Sequence, residues 1–354
     1  MSNRIPISNL YYLLCYAWNK LEESEVVNVD ADTCPDLINL FGRVLASGTS
    51  HLLRRGVHQG YVSRRGATRR PRGRIDFPAT FQTAFSAPGS VVCEFEELSH
   101  NVLRNQILRS TIRRLAASGL LESDLRRRLR GHLGRMRGID EIEVTAQHFR
   151  RVQLDRNSGF YIFLLNVCAL VHAGLAVDSA SGRLRFRDFD RDERRMAFVF
   201  QQFVRNFLRA HAPNSPSVSA PVLEWRPASG DPRAMERLPR METDIVVRTP
   251  EHALIIDTKY YYEAFQRSWG KETVRSAHLY QMLAYLQNFS NLSPSPPVGG
   301  MLMYPAVTAD FHLEYQLLGF PVAVASVDLN RPWPEIHSRI VSLVSQGLEP
   351  PPVP

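Results

Sequence analysis

Two aspartates and a lysine stand at the ends of an apolar ribbon in "METDIVVRTPEHALIIDTKYYY", residues 241–262. Asp244 precedes the run Ile245–Val247, Asp257 follows the run Ala253–Ile256, and Thr249-Pro250-Glu251-His252 separates them. A turn centred between Pro250 and Glu251 pairs Arg248 with Ala253 and sets Asp244 opposite Asp257; proline suits the second position of a type I turn. Opposed residues on antiparallel strands hold their Cβ atoms about 4.5–5.5 Å apart, and like charges so placed repel. Solvent, a shared proton or a cation can relieve that repulsion. Lys259 lies two residues beyond Asp257 and therefore on the same strand face. A hard divalent ion such as Mg²⁺ takes carboxylate oxygens, a backbone carbonyl (here that of Thr258) and water. Such an ion polarises a phosphoryl oxygen and acidifies bound water. A lysine alongside can orient or deprotonate that water, or neutralise the charge that develops on phosphorus. Together these groups could hydrolyse a phosphodiester.

Further residues bear on this chemistry. "HLYQMLAYL" carries Gln281 and Tyr285 at i and i+4, on one helix face. The pair could brace the acids or reach a phosphate, and it also fits the polar edge of an ordinary amphipathic helix. Glu193 in "DRDERRM" could add a carboxylate, and equally fits a surface charge among arginines. The chain holds only three lysines, Lys20, Lys259 and Lys271. A lysine within this motif is therefore a specific choice, because only its ammonium can be tuned toward neutrality.

Other chemistries are excluded. "SWGKET" lacks the first glycine of a P-loop and the hydroxyl after its lysine, so nucleoside triphosphate is not bound by that route. No motif for a flipped-base pocket is present. No two histidines lie three or four apart, and Cys15, Cys34, Cys93 and Cys168 are widely spaced. The cysteines suit neither a disulfide framework nor a zinc knuckle and fit a reducing cytoplasm. The N-terminus has no signal-peptide cleavage site. Phe160–Val177, which contains Asn166 and His172, reads as a core helix rather than a membrane span.

The elements that must position these residues form two halves in 354 residues. Helical spacing covers residues 5–23, Pro35–Leu53 and 101–137. Between the last two, "RRGVHQGYVSRRGATRRPRGRIDF" alternates Gly and Arg with Val57, Tyr61 and Val62. It reads as a projecting basic β-hairpin over residues 56–77, closing at Arg74-Ile75-Asp76-Phe77. Residues 140–150 look strand-like. Residues 1–150 hold 22 Lys and Arg against 15 Asp and Glu, and the rest holds 21 against 20. The first half is therefore the better surface for a polyanion. A boundary near residues 152–160 gives domains 1–155 and 156–354. The second half then runs as a helix from Phe160, a helix over Asp190–Ala210, a Pro/Ser-rich loop at 212–221, the acid-bearing hairpin, a helix over Ser276–Leu286, two strands and a terminal helix. This is an α/β domain with one antiparallel pair.

The Asp, the Asp-x-Lys and the following Gln-x-x-x-Tyr helix resemble the PD-(D/E)xK nuclease superfamily. Over nearly the whole chain, "IPISNLYYLLCYAW", "RGRIDF", "LPRMETDI", "DTKYY", "LYQMLAYL" and "GGMLMYP" together resemble the McrC family of McrBC modified-cytosine restriction systems. The resemblance implies a C-terminal PD-(D/E)xK-type endonuclease domain, a mixed sheet flanked by helices, preceded by a mixed α+β partner-docking domain. It implies Mg²⁺ on Asp244, Asp257 and Thr258, with Lys259 catalytic and Gln281 and Tyr285 in support. It further implies docking on, and stimulation of, a McrB-like AAA+ GTPase hexamer, with cleavage of double-stranded DNA containing modified cytosine. The basic hairpin would enter the ring, and a second copy would complete a double-strand break. The chain departs from the pattern at "VFQQFV", where Gln201 and Gln202 stand in place of a helix glutamate. Two other readings remain: a stand-alone repair or recombination nuclease, and a non-catalytic activator of the ring.

Overall fold

The structure is a computed structural model that describes residues 5–20, 34–83, 85–152, 158–177, 184–186, 192–212, 216–225, 229–260, 265–268, 271–292, 296–306 and 310–349. The chain begins with α1 (Ile7–Ala17) and continues through α2 (Leu37–Arg55), β1 (Gly60–Thr68), β2 (Arg74–Ile75), α3 (Phe77–Thr83), β3 (Val91–Ser99), α4 (Leu103–Ala117), α5 (Ser123–Arg135), α6 (Ala146–Arg151), α7 (Gly159–Gly174), β4 (Leu175–Val177) and β5 (Leu184–Phe186). Then follow α8 (Glu193–His211), β6 (Ser217–Ser219), β7 (Val222–Leu223), α9 (Pro232–Met235), β8 (Met241–Glu242), β9 (Ile245–Arg248), β10 (Ala253–Thr258), β11 (Phe265–Ser268), β12 (Lys271–Val274), α10 (Ser276–Leu292), β13 (Val298–Ala306), β14 (His312–Leu317), β15 (Phe320–Asp328) and α11 (Trp333–Leu348).

Contacts divide the chain into one unit of Met1–Leu21 with Asp188–Pro354 and another of Glu22–Arg187. The expected split at residues 155/156 differs from this at both ends. α7 packs with α2 and α4 inside the second unit, where Phe163, Leu164 and Cys168 are buried. At the other end α1 packs on α8. Asn206 Nδ2 on α8 donates to the Tyr16 carbonyl at 2.9 Å, and Tyr16 Oη meets His211 Nε2 at 2.8 Å. Buried Asn9 donates to the carbonyls of Leu329 and Arg331, both at 2.8 Å. The first helix is thus part of the C-terminal core.

In the second unit the expected hairpin over residues 56–77 is replaced by a three-stranded sheet in the order β1-β3-β2. β1 and β2 both pair with β3, which supplies "VVCEFEELS". Gly73, at φ +68°, lets the connection reach β2, and a Cβ there would fall 2.3 Å from the Glu94 carbonyl oxygen. β3 also sets acids beside the arginines of β1: Arg65 lies opposite Glu94, and Arg64 ion-pairs with Glu97 at 3.5 Å. Its basic charge is thereby partly neutralised within the sheet. The residues expected to be strand-like at 140–150 include α6 instead, where the Thr145 and His148 side chains form a capping box. The four cysteines are buried thiols that form no disulfide among the described residues. Among the described residues no helix is long and apolar enough to cross a membrane.

The first unit is built on a six-stranded mixed sheet in the order β14-β15-β13-β10-β9-β6. β10 is parallel to β13 and antiparallel to β9, with Ala253 opposite Arg248 and Ile256 opposite Ile245. The turn closes through the Thr249 amide, which donates to the His252 carbonyl at 2.8 Å. All six residues of β10 are buried, as expected of a central strand covered on both faces. Ala253 and Ile255 join Met282, Tyr285 and Leu286 of α10 in one core. α8 and α11 also pack on β10. Strand β6, within the expected loop 212–221, extends the sheet by pairing with β9.

Because Asn9 satisfies two backbone carbonyls beside α11, Asn9→Ala should destabilise the C-terminal unit by about 1–3 kcal/mol. Urea unfolding followed by Trp333 fluorescence would measure this. Wild-type stability would show that α1 is a detachable arm.

Candidate active site

Asp257 is held by the strand that presents it. It is the fifth residue of β10 and is 1% exposed. Burial pushes its carboxyl up to about 6; Lys259 opposes that rise and the charge of Asp244 adds to it. Lys259 Nζ lies 2.8 Å from Asp257 Oδ2. Beyond that ion pair, no hydrogen-bond donor among the described residues reaches this buried oxygen. Removing a carboxylate from water without full hydrogen bonding is costly, and an oxygen left in that state is suited to a cation.

Lys259 is fixed at both ends. Its amide donates to the Met303 carbonyl at 2.9 Å, and its ammonium donates to Gln281 Oε1 at 2.7 Å. Gln281 Nε2 donates to Tyr285 Oη at 2.7 Å, and Tyr285 Oη donates to the Glu242 carbonyl at 2.8 Å. The i, i+4 pair on α10 therefore braces the lysine rather than the acids. Burial, followed by the charge of Asp257, pushes the Tyr285 phenol up to about 12, so it remains a donor.

The expected register holds, but Asp244 and Asp257 lie one step beyond the paired residues. The β9–β10 ladder ends at Ile245–Ile256, and Asp244 lies in a bend before it. Its Oδ2 accepts from the Thr258 amide at 2.8 Å and the Thr258 hydroxyl at 2.7 Å. Thr258 thus acts as a double donor to the first acid through its amide and hydroxyl, bonds that do not involve the carbonyl expected to face a cation. Asp244 Oδ1 accepts from Gln201 Nε2 at 2.8 Å. The Asp244 carbonyl accepts from Arg205 Nε and Nη2 at 3.0 and 2.6 Å. Both α8 residues were missed as supports. Their signal is a polar face on a helix that otherwise buries Met196, Phe200, Phe203 and Phe207. Glu193 is exposed at the start of α8 and does not line the cleft, whereas its neighbour Arg194 does. His278 was also missed. It is buried, contacts Tyr304 Oη through Nδ1 at 2.7 Å, and is held down to about 4 by burial and then by Lys259.

Asp244, Asp257, Thr258, Lys259, Gln281 and Tyr285 line one polar cleft of about 680 Å³. Among the described residues no three His, Cys, Asp or Glu side chains gather into a metal cluster. A cation here would have two carboxylates and would complete its shell with water, carbonyl or substrate oxygen. This pair, one buried and one half-buried carboxylate, offers oxygen alone and so fits a hard oxygen-seeking ion such as Mg²⁺ better than zinc, which prefers nitrogen and sulfur.

The fold and cleft define an α/β domain that presents two acids and a lysine from the end of a central strand. The family model for the McrBC 5-methylcytosine restriction system component matches residues 7–305. A curated relative, the Type IV methyl-directed restriction enzyme EcoKMcrBC of Escherichia coli (strain K12), is 33% identical over 347 residues, 98% of this chain and 99% of the relative. The chain belongs to this family of McrBC restriction system components. It is also similar in fold to a chain in the refined half-complex from the tetradecameric assembly of Thermococcus gammatolerans McrB AAA+ hexamers with bound McrC. That match has a TM-score of 0.56 and 16% identity, covering 96% of this chain and 76% of that one.

Asp257 should titrate near pH 6 in the metal-free protein, and Lys259→Met should move its midpoint higher because the ammonium opposes the rise. Carboxyl ¹³C NMR of Asp-labelled protein measures both. A midpoint in the ordinary aspartate range, about 3.9, would contradict the burial described.

Proposed function

We propose that this chain is the Mg²⁺-dependent DNA endonuclease subunit of a modification-dependent restriction system, acting in the cytoplasm. The observation that carries this reading is the buried Asp257–Lys259 pair opening, with Asp244, into one polar cleft. Asp244 and Asp257 hold the cation, and Thr258 and Gln201 keep the Asp244 carboxylate oriented. When bound, Mg²⁺ polarises a phosphoryl oxygen and lowers the pKa of coordinated water. Lys259, as an ammonium, would orient the attacking water through a hydrogen bond to its oxygen or offset the negative charge that grows on phosphorus, and Gln281 prevents it from swinging away. Neutral His278 adds no second positive charge beside Lys259 at neutral pH. Asp257 must give up its proton before it can hold the cation, so the raised carboxyl makes cation binding weaken as the solution is acidified.

We assign the partner as a McrB-like AAA+ GTPase hexamer and the substrate as double-stranded DNA containing modified cytosine. Membership in the family and the McrB-bound fold relative support this assignment. In a double-strand break each copy of the chain would cut one strand. The ring-facing element is the β1-β3-β2 sheet with α3. There Phe77, Phe81 and Phe85 recur at helical spacing and are 64%, 75% and 99% exposed, and Tyr61 and Leu98 are exposed on the paired strands β1 and β3. Exposed aromatic side chains close together on one element, as Phe77 and Phe81 are on α3, mark a protein contact.

In a mixture with the neighbouring GTPase, Mg²⁺, GTP and methylated plasmid, Asp257→Ala should lower cutting by about 10²-fold or more and leave GTPase stimulation intact. Undiminished cutting would favour the non-catalytic activator, and wild-type cutting without the GTPase would favour the stand-alone nuclease. Conversely, Phe77→Ser/Phe81→Ser should weaken binding to the ring by about tenfold or more without lowering Tm. Unchanged co-elution on size exclusion would move the contact elsewhere.

A further inference from the structure

Helix α8 has a second face whose outer half is not explained by the acid site. Arg194, Phe198, Gln201 and Arg205 follow one another at i, i+4, i+7 and i+11 and all line the cleft. This spacing places them on one stripe of the helix. Gln201 and Arg205 are occupied by Asp244. Phe198 is 63% exposed at the edge of a polar cleft. Among the described residues Arg194 has no hydrogen-bond or ion-pair partner and Phe198 has no ring contact. Val222, 47% exposed, lies on the same lining.

We propose that Arg194 and Phe198 form a grip for the DNA strand being cut: the guanidinium holds a phosphate flanking the scissile one, and the phenyl ring packs on the apolar face of the adjoining nucleotide. The inference rests on the nuclease reading and adds the substrate contacts that the acid pair cannot supply. Charge complementarity favours a nucleic-acid strand, since a guanidinium pairs bidentately with phosphate oxygens and an aromatic face accepts any nucleotide without regard to sequence. Because α8 also fixes Asp244, strand and acid share one rigid support, so a gripped phosphate is carried into register with the carboxylates.

The test is single-turnover cleavage of methylated DNA by the chain reconstituted with its GTPase. Phe198→Ala and Arg194→Ala should each slow cutting by about tenfold, and Phe198→Trp should restore it. GTPase stimulation and the rise in Tm on adding Mg²⁺ should stay at wild-type values. A photocrosslinking amino acid at position 198 should label DNA, and the same group at position 315, on β14, should not. Wild-type rates for Phe198→Ala and Arg194→Ala beside a dead Asp257→Ala would overturn the grip and leave the nuclease reading standing. Wild-type cutting by Asp257→Ala would remove both. If Phe198→Ala lost the Mg²⁺-dependent rise in Tm and Phe198→Trp failed to rescue, the ring would serve only to shape the cleft, and the inference would fall.

Discussion

The site depends on keeping one carboxylate, that of Asp257, almost wholly out of water at the end of a central strand. An isolated ion in that position would neutralise itself, and burial does drive the Asp257 carboxyl up to about 6. Lys259 limits the rise. The lysine reaches that place only because β10 continues past its ladder with β9, the Lys259 amide binds Met303 on β13, and Gln281 closes from above. Each support comes from a different element of the sheet or from α10. The alternation of β10, with Ala253 and Ile255 in the core beneath α10, delivers Asp257 to that same side.

Asp244 is governed by a different constraint. It stands outside the ladder, so strand pairing does not orient it. Five hydrogen bonds do so instead: two from Thr258, one from Gln201 and two from Arg205 to its carbonyl. A glutamate at position 201 would set a further negative charge against Asp244, whereas the amide donates to it. The departure seen in "VFQQFV" therefore replaces a possible ligand with a positioning bond. The electrostatic consequence is a cleft lined by three acids (Glu242, Asp244 and Asp257), one ammonium and two guanidiniums, those of Arg194 and Arg205. Such a balance suits a cation accompanied by a polyanion better than a cation alone.

What could be read from the sequence follows from the range of each interaction. The β9–β10 register was legible because it is set by a four-residue turn, and Arg248 does pair with Ala253. Gln281 and Tyr285 were legible as a pair because helical spacing is local. The bend at Asp244 was not legible, since nothing in the string marks where a ladder stops. Nor was the place of β3, because "VVCEFEELS" follows α3 yet inserts between two earlier strands. The link from α1 to Leu329 and Arg331 spans more than 300 residues and rests on one asparagine. No periodicity reports such a contact, so the sequence-based boundary misassigned the first helix.

That first helix changes how the two halves must be separated. If residues 1–155 were an independent docking module, deleting them would remove ring binding and leave a folded nuclease. Instead, a cut anywhere after Tyr16 strips α8 of the carbonyl that Asn206 donates to and of the hydroxyl beside His211. α8 is also the helix that carries Gln201 and Arg205 to Asp244. Loss of α1 therefore propagates along one helix to the acid site without any contact with DNA or partner. An N-terminal truncation that lost cleavage would say nothing about docking. Excising residues 22–187 and joining α1 to α8 through a linker keeps the acid site's supports and removes the exposed phenylalanines of α3. The two proposed roles can be divided along the contact boundary, and dividing them at residue 155 would damage both.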